Sequence, residues 1–313
     1  MVEIRRYNVS KVVIPTSLAQ PLKLRISKKI AKNRFYKPPM SEYTTHFDPD
    51  DLKSTGLPTQ QLINAYEKWA FGGFGIIVTG AIIMDQMSLN YVPGNMLIGE
   101  KEDSLERQKG FEAIAKITKE HDAIILAQLA NIEDQQGFYK AETPENQILA
   151  LERTLWAAKY VYERGFDGIL IQFLPAVKDG IVYLELTEKL IETLEKVVRS
   201  NIPKEAAFVI GVKLSTAKFE AAGVDYDGFM KVLKKVESCN YDFVELAGGS
   251  IEFPIENATS RESLFSNVIT SAKSYVPNLS LFATGGFRTV AAMENAVASG
   301  SLDGIGLARP AAS

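Results

Sequence analysis

Short runs of consecutive apolar residues alternate along this chain with longer stretches in which apolar residues recur every three or four positions. The runs predict strands at residues 34–37, 75–78, 123–129, 168–173, 208–214, 243–246, 279–284 and 304–307. The stretches between them predict helices: over 186–199, Leu190, Ile191, Leu194, Val197 and Val198 share one face and Glu and Lys the other. Strand and helix in alternation imply parallel strands. The near-continuous apolar character of Ile76-Ile77-Val78 and Ile124-Ile125-Leu126 suits strands buried on both faces. Eight such units predict an α/β fold, a (β/α)8 TIM barrel occupying residues 1–313 as a single domain.

Two features modify that picture. Ahead of the first strand, residues 22–30 alternate apolar and polar side chains, which predicts an N-terminal hairpin plugging the barrel floor. The chain stops at Ser313, a few residues past the eighth strand, which predicts that the eighth outer helix is missing or truncated. The apolar surface bared by its loss would need cover from a partner subunit in a homo-oligomer or from a reorganised hairpin, the alternative being a truncated gene product.

Composition narrows the function classes. At 313 residues, 46% hydrophobic and 23% charged, the chain has material for one large core, and a net charge of -3 gives no general attraction to nucleic acid or anionic lipid. No apolar run is long enough to span a bilayer, and the start Met1-Val2-Glu3-Ile4-Arg5-Arg6 lacks the apolar centre of a secretory signal, so a cytoplasmic protein with no membrane partner is expected. The single Cys239 excludes an internal disulfide, and no His, Cys, Asp and Glu spacing suggests a metal.

The chemistry is concentrated in the tail. Leu281-Phe282-Ala283-Thr284-Gly285-Gly286-Phe287-Arg288 and Asp303-Gly304-Ile305-Gly306-Leu307-Ala308-Arg309-Pro310 each read as a short strand that opens into glycine or a small residue. Backbone amides there can approach a phosphate without a Cβ in the way. These are the last two strands, and the loops after strands seven and eight are the common phosphate site of this barrel type. The tail therefore predicts a barrel holding a phosphorylated ligand.

Five stretches taken in order carry a resemblance: Lys32-Asn33-Arg34-Phe35-Tyr36-Lys37-Pro38-Pro39-Met40-Ser41-Glu42-Tyr43, the run from Tyr66 through Lys68-Trp69-Ala70 to Thr79-Gly80, Ala127-Gln128-Leu129, Gly165-Phe166-Asp167-Gly168, and the tail. Together they resemble the Old Yellow Enzyme family, the FMN-dependent NADH:flavin oxidoreductases and ene reductases. The resemblance implies FMN as cofactor and NADH or NADPH as reductant, with electrons passing to a small-molecule acceptor. It implies that Pro39, Met40 and Ser41 lie along the flavin, and that Ala81 and Gln128 meet its pyrimidine side. Lys213 would stand near N1 and the C2 carbonyl, where a cation favours the reduced, anionic form. Gly285, Gly286, Ala308 and Arg309 would hold the FMN phosphate, Arg309 bidentately.

The chain departs from the family at the end of strand four. Enone-reducing members carry a His, a second His or Asn three positions on, and a Tyr two further. Here Gln172, Pro175 and Val177 occupy those positions. Gln172 can donate one hydrogen bond, whereas Pro175 and Val177 offer no donor. The family's His-Ala-Gly-Arg stretch is replaced by Ala130-Asn131-Ile132-Glu133, and its long fourth loop is shortened. Losing such donors costs about 10²–10⁴ in rate, so enone reduction is expected to be weak. The candidates for catalytic work are Gln172, His46 after strand one, and Tyr183 in the shortened loop, with Lys178 and Asp179 beside it. Two rival readings stand beside the oxidoreductase: a catalytically degenerate FMN-binding or scaffold protein of the same fold, and a flavin-free Schiff-base aldolase using Lys213.

Overall fold

The computed structural model describes residues 13–130, 144–173, 177–178, 181–216, 219, 222–248 and 272–312. Eight parallel strands form a closed barrel: β3 (Phe35–Lys37), β4 (Ile76–Ile83), β6 (Ile124–Ala130), β7 (Gly168–Phe173), β10 (Val209–Ser215), β11 (Phe243–Ala247), β12 (Ser280–Thr284) and β13 (Gly304–Gly306). Each pairs with the next in chain order, and β13 pairs with β3, with Ile305 opposite Phe35, to complete the circle. All eight expected strands are present. They register with buried residues on both faces, as the apolar runs require.

The predicted floor hairpin is β1 (Leu22–Lys23) paired antiparallel with β2 (Ile30–Ala31). Leu22, Leu24 and Ala31 bury into one cluster with Ile76, Val78, Ile124, Leu126, Leu170, Val209, Phe243 and Phe282, so the hairpin closes the bottom of the barrel. The fully buried Asp242 stitches it in place. One carboxylate oxygen accepts from the amides of Ile26 (3.0 Å) and Ser27 (2.7 Å), the other from Arg199 and the Ile210 amide.

Helices cover the outside: α1 (Gln60–Phe71), α2 (Gln86–Tyr91), α3 (Leu105–Lys119), α4 (Pro144–Glu163), α5 (Leu184–Asn201), α6 (Tyr226–Ser238) and α7 (Val290–Ala298). The helix expected at 186–199 is α5. Their starts follow the sequence. Thr59, Ser104, Asp225 and Thr289 each cap a helix by accepting from the amide three residues on, which satisfies a donor that the helix itself leaves open. In α1, Leu62, Tyr66 and Ala70 lie four apart and are buried, which turns Tyr66 and its neighbour Trp69 toward the barrel wall. Three further strands among the described residues lie outside the circle: β5 (Met96–Leu97) extends the upper end of β4, and β8 (Val177–Lys178) with β9 (Ile181–Val182) makes a small antiparallel hairpin between β7 and α5.

β4 runs five residues beyond its expected end at Val78. The pairing of β4 with β6 shifts register between Val78 and Ala81, which marks a bulge. Before it, Ile76 and Val78 face the barrel interior; one extra residue then brings Ala81 and Ile83 to that side, where the sequence alternation alone would place Gly80 and Ile82.

Candidate functional site

Period-two alternation, read from the interior cluster upward, fixes which side chains meet at the mouth. Because Leu126, Leu170, Val209, Phe243 and Phe282 face inward, so do Gln128, Gln172, Gly211, Lys213, Glu245 and Thr284 above them. The lower barrel is sealed by Tyr36, Phe243 and Phe282: the two phenylalanine rings stack at 4.6 Å, and Tyr36 meets Phe282 edge-on at 5.4 Å. Above this aromatic plug the lining becomes polar.

That polar layer is ordered by hydrogen bonds. Gln128 Nε2 donates to Gln172 Oε1 at 2.8 Å, so the structure joins the residue expected at the pyrimidine side to the one standing in the family's His position. With its carbonyl oxygen so engaged, the Gln172 amide group has donors left for the mouth. Lys213 sits in register with Gln172 on one side and Glu245 on the other. Glu245 is fully buried and accepts from Tyr36 Oη (2.9 Å) and Thr284 Oγ1 (2.8 Å). Burial, reinforced by Glu245, raises the Tyr36 phenol well above the usual tyrosine range, so it stays a donor. Sequence reading missed Glu245, Tyr36 and Thr284. The available signal was a lone carboxylate inside an apolar strand, two positions from the inward Phe243.

The residues expected to hold a phosphate come together where β12 and β13 end side by side, Thr284 opposite Gly306. Gly285 and Gly286 follow with φ of 142° and 75°, a backbone that glycine alone adopts without strain. No hydrogen bond joins the amides of Gly285, Gly286, Ala308 and Arg309 to another described residue. Unpaired amides at two adjacent strand ends, with the exposed Arg309 beside them, suit an anion bearing several acceptor oxygens.

The loop after β3 is fixed from behind. Pro39, Met40 and Ser41 are half-buried, and Glu42 folds back to accept from Tyr66 Oη and from the Gly80 amide, the latter at 2.8 Å. The β4 bulge leaves three backbone groups without ladder partners, and side chains take up each of them. Lys37 Nζ donates to Val78 O (2.9 Å), Glu42 accepts from Gly80, and Thr79 Oγ1 accepts from the Gln128 amide (2.9 Å). Ala81, 8% exposed and opposite Gln128, is thereby set at the mouth.

Lys37 has a measurable signature. It is completely buried with its ammonium 4.1 Å from the Trp69 ring, and burial lowers its pKa from 10.5 to about 8 against the pull of Glu42 and Glu245. The unfolded chain keeps this proton up to 10.5 and the folded chain releases it near 8, so between those values the unfolded state binds more protons and stability from this site rises with pH. Lys37→Met removes the dependence. The stability of wild type relative to this variant should improve by about 3 kcal/mol from about pH 7 to about pH 10 in urea titrations, and parallel curves would contradict the assignment.

The other catalytic candidates stand apart. The exposed His46 lies in the loop after β3, where its carbonyl accepts from the Gly56 amide (2.9 Å), and no hydrogen bond or ion pair among the described residues joins it to Gln128, Gln172 or Lys213. Tyr183, 44% exposed, precedes α5, where its carbonyl accepts from the Thr187 amide. Pro175 and Asp179 lie outside the described residues, and Val177 and Lys178 belong to β8.

Comparison with known proteins places this site in context. No protein-family model matches the chain. An NADH-dependent flavin oxidoreductase of Aspergillus parasiticus is 27% identical over 351 residues, covering 96% of this chain and 77% of that protein. Another from Hypocrea jecorina is 24% identical over 343 residues, covering 90% and 82%. The Old Yellow Enzyme homologue of Zymomonas mobilis superposes with a TM-score of 0.71 at 17% identity, covering 94% of this chain and 89% of that structure. The chain resembles the Old Yellow Enzyme family. Morphinone reductase shares the fold as well, with a TM-score of 0.70 at 14% identity over 94% of this chain and 86% of its own. A 2-naphthoyl-CoA reductase, solved with 2-naphthoyl-CoA, gives 0.78 at 17% identity over 95% of this chain, which spans 50% of that longer protein.

Proposed function

We propose that the barrel mouth binds FMN, that NADH or NADPH reduces it, and that the electrons pass to a small-molecule acceptor such as a quinone, dioxygen or a weakly polarised alkene. The observation that carries this reading is the set of unpaired amides at Gly285, Gly286, Ala308 and Arg309, one layer beyond the inward cation of Lys213. The donor set fits the group: amides and a guanidinium for a phosphate, Gln128 and Lys213 for the carbonyls and nitrogens of a flavin's pyrimidine ring, and a half-buried Pro39-Met40-Ser41 run for its apolar body. Residues 1–313 are read as one flavin-binding domain. The names of the two fungal relatives support a flavin with a nicotinamide reductant.

When bound, the flavin supplies two-electron transfer between nicotinamide and acceptor. The chain supplies the surroundings. The amides and Arg309 anchor the phosphate, and Lys213 offers positive charge in a confined site, where it counts for more than in water. The buried Glu245, held by Tyr36 and Thr284, fixes the layer beneath. Gln172 offers an N–H to an acceptor oxygen but has no proton to surrender, so an acceptor that needs little polarisation fits best. His46 and Tyr183 are left as proton donors only if an acceptor reaches out to them.

A second reading, a degenerate FMN-binding or scaffold protein, is favoured by the acceptor side itself, where Gln172 offers N–H donors but no acid, its carbonyl oxygen being held by Gln128. Anaerobic mixing of the FMN-loaded protein with NADH and with NADPH separates the two. Bleaching of the flavin absorbance by either nicotinamide is the result expected of the oxidoreductase; bound flavin bleached by neither leaves the scaffold reading standing. The buried thiol of the single cysteine, Cys239, fits a reducing, cytoplasmic setting. Among the described residues no helix is long and apolar enough to cross a membrane, and no group of three or more His, Cys, Asp or Glu is placed to hold a metal.

A further inference from the structure

Trp69 lies on α1, outside the barrel wall, and no step above uses it. Its indole Nε1–H donates to the carbonyl of Ala311 at 2.7 Å. Ala311 ends the single 3₁₀ turn Arg309–Ala311 that follows β13, and its amide donates back to Ala308 at 2.9 Å. On the other side, the Leu307 amide donates to Tyr36 O at 3.0 Å. Ala308 and Arg309, which carry two of the four unpaired amides, therefore sit between an anchor on β3 and an anchor on Trp69.

The ring is itself held. The Lys37 ammonium lies 4.1 Å from it on one side, and Tyr66 packs edge-on at 5.1 Å and 89°. Lys37 is fixed by Val78 O, and Tyr66 by Glu42, which also braces the loop of Pro39 to Ser41. A continuous set of contacts thus runs from that loop to the end of the chain's anion cradle.

We propose that Trp69 is a positioning residue that holds the Ala308–Arg309 segment in the conformation that grips a phosphate, so that the protein selects phosphorylated FMN over riboflavin. This rests on the flavin reading above. The mechanism is preorganisation: a carbonyl pinned before the ligand arrives spares the segment the entropy of ordering on binding. Trp69→Phe removes the Nε1–H donor while keeping an aromatic ring against Lys37 and Tyr66, and the effect falls on the ligand that needs the segment ordered.

The test is a pair of titrations on the full chain stripped of flavin, one with FMN and one with riboflavin, in wild type and in Trp69→Phe. Wild type should prefer FMN. Trp69→Phe should weaken FMN by about fivefold and leave riboflavin within about twofold, so that the ratio of the two dissociation constants falls. Equal weakening of both, or of neither, overturns the role of Trp69 while leaving the flavin reading intact. A wild type that binds both equally overturns the phosphate cradle and this role with it, and one that binds neither overturns the flavin reading as well. A second measurement does not depend on that variant folding. In Trp156→Phe, which leaves Trp69 as the sole indole, exchange of the indole N–H with solvent should slow on adding FMN and stay unchanged on adding riboflavin; no slowing with FMN contradicts the proposal.

Discussion

Arg107→Ala is expected to destabilise the protein by about 3–5 kcal/mol, seen as a fall in the urea midpoint with little change in slope. Arg107 is a fully buried side chain of α3, and its guanidinium donates to the carbonyls of Leu52, Lys53, Thr55, Leu97 and Glu102. It is thus the organising centre of the loop between β3 and α1, which binds β5 through Leu97 and carries His46 near its start. Removing it strands several buried acceptors at once and opens a cavity the size of the side chain, and each effect alone costs about 1–3 kcal/mol. Arg107→Lys keeps the charge but has one nitrogen to serve carbonyls spread over two loops, so it should recover only part of the loss. A cost below about 1 kcal/mol for the alanine variant would show that water replaces the guanidinium without penalty and that the loop needs no such centre.

Gly80→Ala is expected to cost about 2–4 kcal/mol of stability and to weaken flavin binding by at least about tenfold. A Cβ at this position would lie 1.9 Å from Glu42 Oε2 and 2.5 Å from Met40 O. The carboxylate cannot stay, and when it leaves, the Tyr66 hydroxyl loses its acceptor and the Gly80 amide keeps only the Tyr66 oxygen, at 3.1 Å. The backbone of Met40, in the middle of the run proposed to lie along the flavin, must move too. Stability and binding should therefore fall together. Glu42→Gln, which keeps the shape and one acceptor oxygen, should reproduce the stability loss only in part. If Gly80→Ala folds as well as wild type and binds flavin equally, the bulge does not set the mouth, and the account of how Ala81 is placed is wrong.

The barrel was legible because each strand is buried on both faces and each helix on one, and those two burial patterns leave different periods in the sequence. The eight runs gave the order of the circle, and the alternation at 22–30 gave the floor. The upper half of β4 was not legible. Thr79-Gly80 reads as the end of a strand, whereas here it is a bulge whose stray backbone groups are met by Lys37, Glu42 and Thr79 side chains from three different segments. The candidate site divides in the same way. The tail glycines carry their own local reason, turns after short strands, whereas Gln128 and Lys213 were named only through the family resemblance. Glu245 finds Tyr36 across 209 residues of chain, and Trp69 finds Ala311 across 242. Such partners are chosen by the closure of the barrel, not by neighbours in sequence. Arg107 illustrates the same limit: on a helix wheel it is one more charged residue, and only the loops packed against α3 make it a core group.

The central claim is that the mouth of this barrel is a flavin site. Titrating the purified full chain with FMN and following the quenching of flavin fluorescence tests it most directly. Saturable binding of one FMN per chain, much reduced when Arg309 and Lys213 are both changed to Met, is the result the account predicts. A well-folded chain that leaves flavin fluorescence untouched throughout the titration would contradict it.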